Sequence, residues 1–341
     1  MKANTLKFIA TAAAILSASS VLAGETVTLK FADWMPTSHY TVKEAAIPFM
    51  RKAEELSGGR IKFQFFPGEQ LGKGKDALTL AQTGVADIVD ISPSYITDKF
   101  ILTSVAELPD MFSSACEGSY TIKKLVENGG FIDQQEFSPQ GVRVLTSIAY
   151  FPYQVGTTNR MVEKVSDFKG LKLRTAGGAM DLTTRQLGAI SVRIPGPDIL
   201  PSLSRGTLDG ALFPLQSVRV FDLQTELKHM TLGASMGSFV TVYAISERVW
   251  DSLDEGLQSA LTEAGEYATK HHCEYVDNEE SKVVAQLESD GVVANTMAEG
   301  ELEKLQEELA KVQSTWAKQL DDNGRPGTET LNVFLKSKVE R

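Results

Sequence analysis

Gly84-Val85-Ala86-Asp87-Ile88-Val89-Asp90-Ile91 is the stretch on which the fold turns. The glycine stops a helix over roughly Gly74 to Thr83 in the left-handed conformation, and a buried strand restarts at the aspartate. Ser92-Pro93-Ser94-Tyr95 follows it. Upstream, Thr26 to Ala32 alternates as a strand, Tyr40 to Leu56 has a helical period ended by Gly58-Gly59, and Ile61 to Phe66 is a second strand stopped by Pro67-Gly68. The same punctuation returns about 120 residues later as Gly206-Thr207-Leu208-Asp209-Gly210, after a strand from Ser191 to Ile194 and a short helix through Ser204. Two related α/β halves are expected. Ligands of open α/β sheets bind beyond the carboxyl ends of the strands, which selects Ser92, Tyr95 and Phe213 as candidate site residues.

From Asp251 to Asp290 there is no proline, and Leu253, Leu257, Leu261, Ala264, Ala268, Val276, Val283, Val284 and Leu287 recur at helical spacing. A helix of about 35 residues would run about 50 Å. It fits across both halves as a shared spine; sustained heptads, which a coiled coil requires, are missing. An amphipathic last helix, Glu301 to Leu320, is expected to pack as a flank.

The chain has 341 residues and a formal net charge of -10. Lys2 and Lys7, an apolar stretch from Phe8 to Leu16 and the small-residue run ending at Ala23 read as a secretory leader cleaved after Ala23, implying a periplasmic protein. Losing the two lysines takes the charge to -12, which argues against nucleic acid as a partner. The two cysteines, Cys116 and Cys273, lie in a compartment where a disulfide is permitted, but sequence separation leaves their pairing open. His39, His229, His271 and His272 show no metal spacing, and adjacent helical histidines point about 100° apart. Neither metal nor cofactor is expected.

Three catalytic patterns fail on context. Gly233-Ala234-Ser235-Met236-Gly237 matches a nucleophile elbow, but a strand-like run, Phe239 to Ile245, follows where a helix is required, so a serine hydrolase using Ser235 is the minor reading. Ser166-Asp167-Phe168-Lys169 lacks the companion motifs of its class and reads as a capped turn. Gly68 to Lys75 lacks phosphate-loop spacing and reads as the start of a helix. No catalytic residue is assigned, and the profile is that of a binding protein.

Arg174 ends the run Leu171-Lys172-Leu173-Arg174-Thr175, just ahead of Gly177-Gly178. A guanidinium where a strand gives way to a turn is well set to grip a carboxylate with paired hydrogen bonds. Around it, Gly58-Gly59-Arg60-Ile61, Pro67-Gly68-Glu69-Gln70-Leu71-Gly72, Gly84-Val85-Ala86-Asp87, Glu107-Leu108-Pro109, Thr157-Thr158-Asn159-Arg160, Asp167 to Arg174 and Gly206 to Gly210 fall in an order that resembles the substrate-binding proteins of TRAP (tripartite ATP-independent periplasmic) transporters, DctP type. The resemblance covers essentially the whole mature chain.

It implies an α/β, two-domain periplasmic binding protein fold, with hinge strands and a long helix spanning both domains. Residues 24–151 plus 240–280 would form the first domain and 152–239 plus 281–335 the second. It implies a monomer that closes on an organic acid, Arg174 gripping the carboxylate, and delivers it to integral membrane permease subunits. A sensing module docking to a receptor would share the same fold and site. Sialic-acid-binding relatives carry an arginine and an asparagine where this chain has Gln154 and Phe213, so the ligand expected is a monoanionic acid with a flat or apolar portion; sugar acids and sulfonates stay open. The strand-end argument adds Trp34, Met35, Tyr150, Tyr153, Gln216 and Phe239 to the candidates.

Overall fold

A computed structural model describes residues 25–339. The expected leader lies outside the described residues. Two six-stranded mixed sheets form the lobes. The first contains β1 (Val27–Ala32), β2 (Ile61–Phe66), β3 (Ile88–Ile91), β4 (Val142–Val144), β5 (Ile148–Ala149) and β11 (Val240–Ser246). The second contains β6 (Gln154–Thr157), β7 (Lys172–Thr175), β8 (Ile190–Arg193), β9 (Gly210–Phe213), β10 (His229–Leu232) and β12 (Val293–Thr296).

The two halves repeat the same local order. β1 lies between β2 and β3, parallel to both, and β7 lies between β8 and β9, parallel to both. The aspartates that the sequence put at matching points do the same work. The Asp87 carboxylate accepts from Lys30 N–H at 2.8 Å, and that of Asp209 accepts from Lys172 N–H at 2.8 Å. Each residue also donates its own N–H back to that lysine's carbonyl, at 2.9 Å in both cases. The aspartate thereby completes the ladder one residue before the strand begins.

The expected helix from Tyr40 to Leu56 forms, with a widened π-type turn at Val42–Ala46 ahead of the regular stretch Ile47–Leu56. The long helix spans Glu255–Ser289, and its Asp254 cap accepts from Leu257 N–H. Its buried residues Leu257, Leu261, Ala264, Ala268 and Val276 pack in one core, whereas Val283 and Leu287 enter that of the second lobe with Leu203 and Met230. Cys116 and Cys273 are joined, tying the Ala115–Val126 helix to the middle of this spine.

The tail differs from the expected division. The Glu299–Asp322 helix begins on the second lobe, where Gln186 donates to Glu308, and ends on the first, where Trp316 Nε1 donates to Ser104 Oγ at 3.0 Å. The Gly327–Ser337 helix then packs on the first lobe, its Phe334 buried among Val126, Phe137 and Trp316. Residues 327–335 therefore belong with the first lobe rather than the second. Amphipathic spacing identifies a flanking helix but carries no address.

Between the lobes, residues 149–154 run antiparallel beside residues 236–240. Tyr150 N–H donates to Phe239 O at 2.9 Å, Tyr153 N–H to Gly237 O at 2.8 Å and Met236 N–H to Tyr153 O at 3.1 Å. These crossings hold the lobes face to face.

Candidate functional site

Arg174 sits on β7, opposite Val192 of β8 and Ala211 of β9. Its side chain is 1% exposed. Nε donates to Ile194 O at 2.7 Å and Nη1 reaches Leu212 O at 3.5 Å, so carbonyls at the carboxyl ends of the two flanking strands hold the fork in place. The ring of Phe213 lies 5.2 Å beneath the guanidinium carbon. Among the described residues Arg174 has no carboxylate partner, while Arg193 nearby is paired with Asp181. A buried guanidinium without a counter-charge carries a desolvation cost of several kcal/mol, which a ligand anion would offset.

Arg174 opens into a tight cavity, lined also by Trp34, His39, Tyr95, Tyr150, Tyr153, Gly196, Phe213, Pro214, Ser217, Phe221 and Phe239. Both lobes contribute. From the first, the turn after β1 sets Trp34: Asp33 Oδ1 accepts from Met35 N–H at 2.8 Å, and Trp34 Nε1 donates to Ser92 Oγ at 3.1 Å. Trp34, Tyr95 and Phe239 pack ring to ring, with Tyr95 at 5.3 Å from Trp34 and 5.5 Å from Phe239. Such contacts bury large area with little loss of side-chain freedom. Burial pushes the Tyr95 hydroxyl up, and the Arg174 charge pulls it partly back.

Seven of the residues named from sequence line this cavity: Arg174, Phe213, Tyr95, Trp34, Tyr150, Tyr153 and Phe239. Ser92 and Met35 stand behind the wall, Ser92 under Trp34 and Met35 accepting from the Tyr150 hydroxyl at 3.3 Å. Gln154 and Gln216 are not among its lining residues. Gln154 borders a wider, open cleft of about 840 Å³, together with Asp110, Glu117, Glu280, Lys338 and Ser235. That cleft is the larger, but its charged lining is mainly acidic, so an anion is better matched to the cavity at Arg174. His39, Gly196, Pro214, Ser217 and Phe221 were missed by the strand-end argument.

The turn after Arg174 approaches the first lobe closely. A side chain at Gly177, where φ is +112°, would meet Ser94 O at 2.7 Å, and one at Gly178 would meet Glu107 Oε2 at 2.7 Å. Only glycine permits this approach to the first lobe. Glu107 is buried, its carboxyl takes a hydrogen bond from Ser94 Oγ, and burial pushes its pKa to about 8. The Arg174 charge pulls it partly back.

The minor catalytic reading has no geometry behind it. Ser235 Oγ accepts from Asp110 N–H at 3.2 Å, while His271 meets Glu44 and His272 meets Thr41. Among the described residues no cluster of three or more metal-ligating side chains occurs, and no helix is long and apolar enough to cross a membrane.

Two lobes thus meet around a buried guanidinium in a cavity lined by aromatic rings. The chain belongs to the bacterial extracellular solute-binding protein family 7 (DctP), whose profile matches residues 31–319. Members of this family are binding proteins rather than enzymes, which removes Ser235 as a nucleophile. A solute-binding protein of Verminephrobacter eiseniae is 23% identical over 248 residues, 72% of each chain. A TRAP solute-binding protein from Rhodoferax ferrireducens, solved with copurified benzoate, superimposes with a TM-score of 0.83 at 23% identity, covering 92% of this chain and 97% of that one. A TRAP periplasmic solute-binding protein from Bordetella bronchiseptica, solved with (R)- and (S)-mandelate, gives 0.82 at 23% identity, covering 91% and 98%. The two-lobed fold and spanning helix expected from sequence are thus those of this family.

Proposed function

We propose that this chain is a periplasmic receptor for a small monocarboxylic acid with a flat, apolar body, which it delivers to the integral membrane permease of a TRAP transporter. The observation that carries the reading is Arg174, buried and without an acidic partner inside a cavity walled by aromatic rings. The carboxylate would take the N–H groups of the fork that face the cavity, and Trp34, Tyr95, Phe213 and Phe239 would cover the body. The aromatic acids bound by two similarly folded proteins support the same class of ligand.

Micromolar affinity requires about 8 kcal/mol, and one charge-assisted pair supplies roughly 1.5–3 kcal/mol. Enclosure by both lobes has to supply much of the rest. A ligand that makes contacts available only when the lobes meet shifts the population toward closure. A thermal-shift screen of benzoate, mandelate, sugar acids, sulfonates and C4-dicarboxylates is the test. Aromatic monocarboxylates should raise the melting temperature most. A response confined to dicarboxylates or sugar acids would refute the reading.

A further inference from the structure

The cavity also has a polar pole, built by residues outside the carboxylate grip. His39 of the first lobe and Ser217 of the second face each other across the lobe boundary, Ser217 Oγ lying 3.4 Å from His39 Nε2 and 3.1 Å from the Tyr40 hydroxyl. The backbone fixes the histidine tautomer. Thr41 N–H donates to Nδ1 at 3.1 Å, so Nδ1 carries the lone pair and the ring proton sits on Nε2. Burial first, then proximity to His272 and Lys43, lowers the His39 pKa to about 3. At 3.4 Å the Nε2–H bond to Ser217 is long, and the donor has capacity left for a better acceptor.

This pole is separate from Arg174. The guanidinium lies over Phe213, and two further ring contacts, Phe213–Phe221 at 5.9 Å and Phe221–His39 at 5.6 Å, lie between that platform and the imidazole. A ligand anchored by its carboxylate at Arg174 would bring its far side toward His39 and Ser217.

We propose that His39 and Ser217 select for acids that carry an oxygen substituent, a hydroxyl in particular, on the side of the ring away from the carboxylate. His39 Nε2–H donates to that oxygen, and the ligand hydroxyl donates to Ser217 Oγ. An unsubstituted ring leaves both polar groups without a ligand partner, and a site built around such groups discriminates against the analogue that lacks the oxygen. The inference rests on the reading that Arg174 holds the carboxylate.

Calorimetry with benzoate, 3-hydroxybenzoate and 4-hydroxybenzoate on the wild type, Ser217→Ala and His39→Phe tests it. At least one hydroxybenzoate should bind about tenfold tighter than benzoate, the gain of one net hydrogen bond. Ser217→Ala should reduce that ratio and His39→Phe should bring it close to one. Equal wild-type affinities, a ratio that survives His39→Phe, or equal weakening of all three acids would overturn the inference. The underlying reading fails differently: if none of the three acids binds, the carboxylate site itself is wrong and this refinement falls with it.

Discussion

The Tyr95 hydroxyl accepts a hydrogen bond from the backbone N–H of Gly196 at 3.1 Å, a contact that passes from the first lobe to the second. It joins the lobes at the cavity wall, beside Arg174. Tyr95→Phe keeps the ring packing against Trp34 and Phe239 and removes only the oxygen. One net hydrogen bond is worth about 0.5–1.5 kcal/mol, so ligand affinity should fall about 2- to 12-fold. Calorimetry with the acid found in the thermal screen measures this, and an unchanged Kd would show that the contact does not favour closure.

Arg174→Lys keeps the positive charge but loses the planar fork held by Ile194 O and Leu212 O. Affinity for the carboxylate should drop at least about tenfold, because an ammonium cannot reproduce paired donors in one plane. Far-ultraviolet circular dichroism should stay that of the wild type. Equal affinity for the two proteins would remove Arg174 from the grip.

Stability should fall as the pH rises from about 6.5 to 8. Glu107, with its pKa raised from 4.5 to about 8, and Glu136, raised to about 7, hold protons in the folded state that the unfolded chain has released over this range. Buried Asp33 and Asp90 are shifted in the same direction. The slope is therefore negative until the folded pKa is passed. Buried His39 and His272, lowered to about 3, act oppositely but only below their ordinary 6.5, where the unfolded chain takes up their protons. Glu107→Gln should shrink the loss between pH 6.5 and 8.5, raising the melting temperature at the upper end by about 2 °C or more. A wild-type melting temperature that climbs across this window would contradict the assignment.

Removing the Cys116–Cys273 link should cost about 2–5 kcal/mol, since its ends lie 157 residues apart in sequence and the open chain regains that loop's freedom. Urea denaturation of the Cys116→Ser, Cys273→Ser double variant reads the loss as a lower midpoint. Coincident midpoints would show that packing alone holds the Ala115–Val126 helix on the spine.

Much of this architecture was legible because it is written in local signals. Gly84 with Asp87 and Gly206 with Asp209 mark a helix end and a strand start in so few residues that the matching hydrogen bonds to Lys30 and Lys172 are nearly implied. The long helix announces itself by period and by the lack of proline. The site was legible where side chains follow directly from strand ends, as for Trp34, Tyr95 and Phe213. It was not legible where a helix turn decides. Gln216 and Ser217 are adjacent in the short Leu215–Val218 helix, so they point about 100° apart, and only the packing determines that Ser217 is the one at the cavity. His39, reached through the turn before the first helix, gives no period of its own. The pairing of the cysteines and the resting place of the last helix depend on distances in space that spacing along the chain does not encode.

The return of the chain to its first lobe has a consequence for how the protein is made. Val240, Val242 and Ala244 complete the core around Val89 and Ile91, and Trp316 and Phe334, far down the chain, close it. The amino-terminal half therefore cannot finish its interior from its own residues, and must await the carboxyl-terminal helices after the second lobe has been synthesised. Contacts so distant in sequence form slowly, since a long loop must close before they contribute. Late completion would leave the interior of the first lobe open until the whole chain is available.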